Sequence, residues 1–322
     1  MALLMVAAVA VGVAGAEALG GALLGMSAPG VEAPGPESHP PGNIGGSLWW
    51  TLGTVAAAGL ALWVIRRKRL LRLDGRPDAV GGTGPDWPIM LLAGFAVMLA
   101  QPLGAGTARA VFGLTPASTD QLQGVALLSV GGYLGALVAL LVATVVVPGL
   151  GRGLGVRPGG RDLLRGAGAM ALAAPIVAVV GQAALWSASA LARWRGGPPP
   201  DPEAHSTLRL LTEPGAVGTG WWWAVVGAVV IGAPIVEESI YRGLFQSAVR
   251  GATGRRWGAI WLTSGAFTLM HAGVAEPHAL AVLLVLSVCF GVAYERTGRL
   301  WVPITMHALF NGANVALAAG SS

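Results

Sequence analysis

The sequence has few charged residues and a single cysteine. Asp, Glu, Lys and Arg make up only 11% of its 322 residues, whereas an ordinary soluble domain has about 25%. So few charges cannot cover a water-soluble globule of this length, which argues against soluble enzymes, nucleic-acid-binding proteins and secreted disulfide scaffolds. The lone Cys289 excludes intrachain disulfides and metal sites built from several cysteines.

Apolar residues take the place of the missing charges. Hydrophobic residues make up 54% of the chain, and its mean hydropathy is +0.66. Apolar segments with lengths near the ~20 residues that a membrane-spanning helix needs cover residues 1–26, 47–65, 87–108, 122–149, 166–192, 219–246, 257–274, 279–295 and 301–319. The sequence therefore predicts an all-α, polytopic transmembrane helix bundle with eight or nine spans. The count depends on residues 1–26, which are either a retained helix or a cleaved signal.

The positions of the basic residues predict the orientation of the spans. Fifteen of the twenty Lys and Arg residues lie in alternate loops, within residues 66–76, 152–165, 250–256 and 296–299. Cytoplasmic loops of membrane proteins carry an excess of Lys and Arg. These loops are therefore predicted to be cytoplasmic, in a multi-pass protein of the cell membrane.

Two loops divide the chain. Residues 27–46 are rich in Pro, Gly and Glu, and residues 196–218 begin with Gly-Gly-Pro-Pro-Pro, which is typical of segments without a core of their own. We expect an N-terminal transmembrane extension of about five spans at residues 1–195. A core of about four spans, residues 219–322, is predicted to follow the second loop.

Ionisable side chains inside the predicted spans are concentrated in the last four. Each costs about 2.5–3.5 kcal/mol on insertion scales and indicates a functional site by default. These polar residues are Glu237, Glu238 and Arg242 in the sixth segment, His271 in the seventh, and His307 with Asn311 in the ninth. Glu238 lies four residues before Arg242 and faces it on one helix side, whereas Glu237 points about 100° away and lacks that partner.

The remaining histidines and one acidic residue have simpler interpretations. His205 and His278 lie in predicted loops and His39 lies in the Pro-rich segment, so we expect all three to be solvated. Glu295, followed by Arg296 at the end of the eighth segment, is typical of an interfacial anchor.

Three motifs in the last third of the chain resemble those of a known family. The pattern EExxxR matches Glu237, Glu238 and Arg242, FxxxH matches Phe267 and His271, and HxxxN matches His307 and Asn311. In this order on three separate spans, they resemble the motifs of the CaaX prenyl protease and bacteriocin-processing (CPBP) intramembrane proteases, which include type II CAAX prenyl endopeptidases. The resemblance covers roughly residues 219–315.

The resemblance implies hydrolysis of a peptide bond in a membrane-associated substrate, either a prenylated protein or another peptide precursor. Amide hydrolysis needs a base that activates water and a stabiliser for the oxyanion. The expected catalytic residues are Glu237 as general base, His271 as its partner in holding the water, and His307 with Asn311 as the oxyanion site. The expected supporting residues are Glu238, Arg242 and Phe267.

The residues leave other functions open. Glu237, His271 and His307 could bind zinc with a water in the open position, as in a metalloprotease, although the linear HExxH pairing is absent. A proton- or ion-coupled transporter would use intramembrane charges too, but it predicts related charges in both halves of the chain. A third alternative is a catalytically inactive scaffold or immunity protein, which the complete set of motif residues disfavours.

Straight helices would not bring the candidate residues to one depth. Glu237 lies sixteen residues after Trp221, about 24 Å from the outer side, and His271 lies fourteen residues after Trp257, about 21 Å from the inner side. These depths do not coincide in a core of about 30 Å. Either the sixth helix breaks near residues 232–234, so that Glu237 lies close to a new helix N-terminus, or residues 250–260 lie partly below the apolar core. We expect the break.

Overall fold

The computed structural model of the protein describes residues 44–73, 84–115, 117–118, 121–198, 200, 206–213 and 215–321. Regular structure in these residues is helical. The helices are α1 (Ile44–Arg67), α2 (Trp87–Phe112), α3 (Leu122–Val146), α4 (Leu150–Leu154), α5 (Asp162–Arg195), α6 (Ser206–Thr212), α7 (Gly220–Thr253), α8 (Arg256–Met270), α9 (Pro277–Thr297) and α10 (Trp301–Ser321). The predicted all-α class is confirmed.

Eight of these helices coincide with the apolar segments predicted from residue 47 onward. Five of them, α2, α3, α5, α7 and α9, are long and apolar enough to cross a membrane. Helix α8 has only 15 residues. The number of spans, eight or nine, therefore stays a prediction, and the segment at residues 1–26 lies outside the described part of the chain.

The predicted break in the sixth segment is wrong. Helix α7 runs continuously from Gly220 to Thr253, and it widens into π-helical turns at Ala228–Gly232 and Ser239–Gln246. A π turn can absorb a local irregularity such as Pro234 without ending the helix. No new helix N-terminus therefore forms beside Glu237.

The depth mismatch has another solution, because α7 is longer than predicted. It ends at Thr253, sixteen residues after Glu237, and α8 begins at Arg256, fifteen residues before His271. At about 1.5 Å per residue, both side chains lie about 22–24 Å from the turn that joins the two helices. Two adjacent helical segments of sixteen and fifteen residues thus bring the two residues to one level.

Helix α7 is the central element of the bundle. In its most apolar stretch 44% of the residues are buried, against 17% in α3. Val236, Ile240 and Leu244 pack into a core with Val97 of α2 and Phe267 of α8. The polar residues of α7 are therefore surrounded by other helices.

Helices α2 and α3 approach closely through small residues. A Cβ atom at Gly104 would meet the backbone oxygen of Gly131, and one at Gly135 would meet the backbone oxygen of Ala100. Glycine at these positions allows the backbones to touch, as is common between membrane helices. This pair packs beside α7, and α3 contributes Ser129 and Tyr133 to the lining of the cavity described below.

The interpretation of Glu295 as an interfacial anchor is wrong. Only 1% of the residue is exposed. Its Oε1 accepts a hydrogen bond from Gln246 at 3.1 Å, and its Oε2 accepts one from Arg250 at 3.2 Å, with Arg256 4.0 Å away. The carboxylate therefore joins α7, α8 and α9 at the end of the bundle where α7 meets α8.

Candidate active site

A cavity of about 320 Å³ opens between α7 and the helices around it. Most of its lining is apolar, with side chains such as Val177, Leu185, Val282 and Leu286. The polar residues of the lining include Glu237, His271, His307 and Asn311. The structure thus brings together on one cavity wall the four residues that the sequence predicts to be catalytic.

Glu237 is the residue on which the two imidazoles converge. Its Oε2 lies 4.0 Å from Nε2 of His271 and 4.0 Å from Nε2 of His307. This oxygen is buried and has no hydrogen-bond partner among the described residues. A separation of 4.0 Å is too long for a direct hydrogen bond, and a single water molecule can bridge it.

His271 is oriented by the residue that precedes it by one helical turn. It is the C-cap of α8, and its Nδ1 lies 2.8 Å from the backbone oxygen of Phe267. A carbonyl oxygen only accepts hydrogen bonds, so Nδ1 carries the proton. Nε2 of the neutral ring is then an acceptor directed towards Glu237.

His307 is oriented by the second glutamate. Its Nδ1 lies 2.9 Å from Oε1 of Glu238, and its ring stacks on Phe290 with a centroid distance of 5.2 Å. A carboxylate beside Nδ1 fixes the ring orientation. This contact between His307 and Glu238 is absent from the sequence-based prediction, because 69 residues separate the two along the chain.

The predicted pair of Glu238 and Arg242 is present in the structure. Arg242 donates from Nη1 to Oε1 of Glu238 at 3.0 Å, and from Nη2 to the backbone oxygen of Ser287 at 3.1 Å and to its Oγ at 2.6 Å. The guanidinium carbon lies 5.0 Å from the ring centroid of Phe267 and 5.2 Å from that of Phe290. Both charged residues are almost fully buried. The positive charge of Arg242 therefore balances the negative charge of Glu238 in place of solvent.

Asn311 lies one turn after His307 on α10, as its spacing predicts. Its Nδ2 donates to the backbone oxygen of Val229 at 2.8 Å. Since that oxygen can only accept, the contact fixes which end of the carboxamide is the nitrogen. The second N–H of the same group stays available for another acceptor.

The zinc alternative does not fit the positions of these side chains. Carboxylate oxygen and imidazole nitrogen are atoms that zinc binds, and ligand atoms around a tetrahedral zinc lie about 3.4 Å apart. Here each imidazole Nε2 lies 4.0 Å from the carboxylate oxygen of Glu237. Within the described ranges, no group of three His, Cys, Asp or Glu side chains is arranged as a metal site.

Sequence reasoning missed the residues that the N-terminal helices contribute to the cavity. Tyr133 of α3 and Gln182 of α5 line it, and Tyr133 is near enough to Glu237 for the two to interact electrostatically. Both lie in apolar segments that hold other polar residues, such as Ser129 and Ser187, so no pattern in the sequence distinguishes them. His278, predicted to be solvated, is half-buried and also lines the cavity, whereas His39 and His205 lie outside the described residues.

Comparison with known proteins identifies one family. Residues 219–313 match the family of Rce1-like type II CAAX prenyl endopeptidases. No curated protein and no solved structure matches the chain. The matched residues include all three motifs, so the resemblance inferred from those motifs is confirmed, and residues 1–218 lie outside the match.

Proposed function

We propose that the protein is an intramembrane endopeptidase that uses Glu237 and His271 to activate water against a peptide bond of a membrane-associated substrate. The family match over residues 219–313 supports a CAAX-type intramembrane protease. The observation that carries the finer proposal is the convergence of a buried, unpaired carboxylate oxygen and two imidazole nitrogens on one point of a mostly apolar cavity.

The first chemical step is the attack of water on the scissile carbonyl. A water held between Oε2 of Glu237 and Nε2 of His271 gives a proton to the carboxylate, and its oxygen attacks the carbonyl carbon. The proton on Glu237 then passes to the nitrogen of the leaving amine when the tetrahedral intermediate breaks down. Neither step requires a metal, in keeping with the 4.0 Å separations.

The oxyanion of that intermediate is stabilised from α10. The free N–H of the Asn311 carboxamide donates to it, and Nε2 of His307 donates when the ring is protonated. Glu238 and Arg242 hold the His307 ring in place through the contact at Nδ1, and Phe267 holds His271 through its backbone oxygen. These three residues position the reacting groups and do not touch the substrate.

The substrate is a peptide or protein that reaches the cavity from the bilayer. An apolar cavity wall favours apolar parts of the substrate, such as a prenyl group or hydrophobic side chains. We place the protein in the cell membrane, with the basic loops in the cytoplasm. We also keep the division into an extension at residues 1–195, a loop at 196–218 and a core at 219–322, in which the extension supplies part of the cavity wall.

The proposal is tested with the full chain reconstituted in phosphatidylcholine vesicles. The probes are a peptide with a farnesylated CaaX terminus and its unlipidated counterpart, and products are identified by mass spectrometry in H2¹⁸O. We expect wild type and Glu213→Gln, which changes an exposed acid between α6 and α7, to release product with ¹⁸O in the new carboxyl group. Glu237→Gln should release none.

Two outcomes would contradict the proposal. Equal cleavage by wild type and Glu237→Gln would remove the carboxylate from the chemistry. Peptide binding by both proteins without cleavage by either would favour the scaffold alternative, since a scaffold needs the pocket and not the base.

A further inference from the structure

The first π turn of α7 leaves one backbone carbonyl without its usual donor. In a π turn, the N–H of a residue bonds to the carbonyl five positions earlier, and Ala233 accordingly donates to the oxygen of Ala228. The next donor in this register would be the N–H of residue 234, which would bond to Val229. That residue is Pro234, and proline has no N–H.

A side chain from another helix takes the place of that donor. Nδ2 of Asn311, 82 positions along the chain, donates to the oxygen of Val229 at 2.8 Å. Pro234 itself is buried in α7. The carbonyl of Val229, to which Pro234 cannot donate, is thus the one that accepts from Asn311 of the candidate oxyanion site.

The π turn is also packed from a second side. A Cβ atom at Gly232 would lie 3.0 Å from the ring of Tyr133 on α3, so the backbone of the turn rests directly against that ring. The carbonyl of Val229 therefore belongs to a stretch of backbone held between α3 and α10. Such a stretch can fix the direction of a side chain that bonds to it.

We propose that Pro234 is a positioning residue for Asn311, because the absence of its N–H reserves the carbonyl of Val229 for the carboxamide. The inference rests on the proposed function, in which Asn311 donates to the oxyanion. Pro234 touches neither substrate nor water in this scheme. Its contribution is to hold one N–H of Asn311 on the helix so that the other is presented to the cavity.

The test is a double-mutant cycle between Pro234→Ala and Asn311→Ala in the full chain, assayed in vesicles with the farnesylated CaaX peptide. Pro234→Ala restores an N–H that competes for Val229, and we expect kcat to fall about tenfold with KM changed less than twofold. Asn311→Ala should lower kcat about 100-fold, as for the loss of one oxyanion donor. The double variant should be no slower than Asn311→Ala alone, since the two changes act through one contact.

Melting temperatures give a second readout that a general role in helix shape would not reproduce. Asn311→Ala leaves the carbonyl of Val229 unpaired and should lower the melting temperature, and adding Pro234→Ala should recover part of that loss by supplying a new donor. Pro102→Ala makes the same change at an exposed position of α2 and should show no coupling with Asn311→Ala. Pro234→Gly restores the same N–H and replaces Pro234→Ala where that variant does not fold.

The outcomes separate this inference from the proposed function. An unchanged kcat in Pro234→Ala, or an equal further loss when it is added to Asn311→Ala, would overturn the role of Pro234. Cleavage that survives Glu237→Gln would instead overturn the proposed function, whatever the cycle shows. In a third outcome, Glu237→Gln loses activity and the effects at Pro234 and Asn311 are additive. That result would support the peptidase and refute the positioning role of Pro234.

Discussion

Two acidic residues, Glu237 of α7 and Glu295 of α9, lie at different levels along α7 and differ in what surrounds the carboxylate. At the end near α8, both oxygens of Glu295 have partners, Gln246 on one side and Arg250 on the other. At the middle of the helix, Oε2 of Glu237 has no hydrogen-bond partner among the described residues and lines the cavity. Both carboxylates have buried oxygens, but only Glu237 of the two combines an oxygen without a hydrogen-bond partner and a place in the cavity lining.

The difference indicates that a buried acid marks a reactive site when an oxygen without a partner also faces a cavity. Glu238 has such an oxygen, its Oε2, but does not line the cavity. Removing a carboxylate enclosed by arginine and amide donors destabilises the fold, because it leaves buried partners uncompensated. Such a carboxylate also has no oxygen left to accept a proton from water. A carboxylate that meets only two distant imidazoles can accept a proton from water. Substitutions at the first site should therefore change stability, and those at the second should change catalysis.

The largest expected effect comes from His271→Ala at the site around Glu237. Removing the acceptor that shares the water with Glu237 should lower kcat/KM about 1000-fold, within the range for a general acid–base group. The melting temperature should stay within a few degrees of wild type, since the ring is 20% exposed. Cleavage of the farnesylated peptide and thermal unfolding in detergent measure the two quantities.

A second histidine in the same cavity supplies the control. His278 lines the cavity on α9 and belongs to none of the three motifs, and His278→Ala should change kcat/KM by less than about fivefold. Equal losses in the two variants would show that any change of the cavity wall disturbs activity. The loss in His271→Ala would then not support a catalytic role for the site around Glu237.

The sequence was sufficient to name four polar residues that meet in the cavity, because ionisable residues in the apolar segments are few. It missed Tyr133, Gln182 and the position of His278. It was insufficient for the contact of Glu238 with His307 and for that of Asn311 with Val229. Both contacts join residues far apart in the chain, and neither has a local pattern. The i,i+4 rule finds pairs on one helix, such as Glu238 with Arg242, and cannot show which other helix lies alongside.

Hydropathy predicted where the helices lie better than where the sixth apolar segment ends. Hydropathy located the apolar segments to within a few residues at most boundaries, since the bilayer sets their length. It ended the sixth segment at residue 246, although α7 continues to Thr253. The additional turns carry Arg250, which forms an ion pair with Glu295 at 3.2 Å, and hydropathy cannot anticipate such a partner.

Glu295→Gln should have the next largest effect, and it should be confined to stability. Loss of the charge removes the carboxylate that Arg250 and Arg256 share in a site where each is 12% exposed, so the free energy of unfolding should fall by about 1–3 kcal/mol. The kcat of the folded protein should stay within about twofold of wild type. Glu276→Gln, which breaks an exposed ion pair with Arg209, should cost less than about 1 kcal/mol.

A large fall in kcat for Glu295→Gln, with the folded fraction held constant, would contradict the separation of the two sites. It would mean that the end of α7 near α8 controls the geometry around Glu237 through the intervening π turn. Thermal unfolding and peptide cleavage on the same preparation distinguish this outcome from a simple loss of folded protein.

The smallest expected effect is that of metal removal. Incubation with EDTA or 1,10-phenanthroline should change kcat/KM by less than about twofold, because the nitrogens of His271 and His307 lie too far from Oε2 of Glu237 to share a tetrahedral ion with it. Loss of activity that added zinc restores would require these atoms to approach to about 3.4 Å. The unpartnered oxygen of Glu237 would then be a zinc ligand. His271→Ala would in that case lower the bound zinc content together with activity. Retained activity after chelation, with activity lost in Glu237→Gln, would instead leave the carboxylate itself as the group that takes the proton from water.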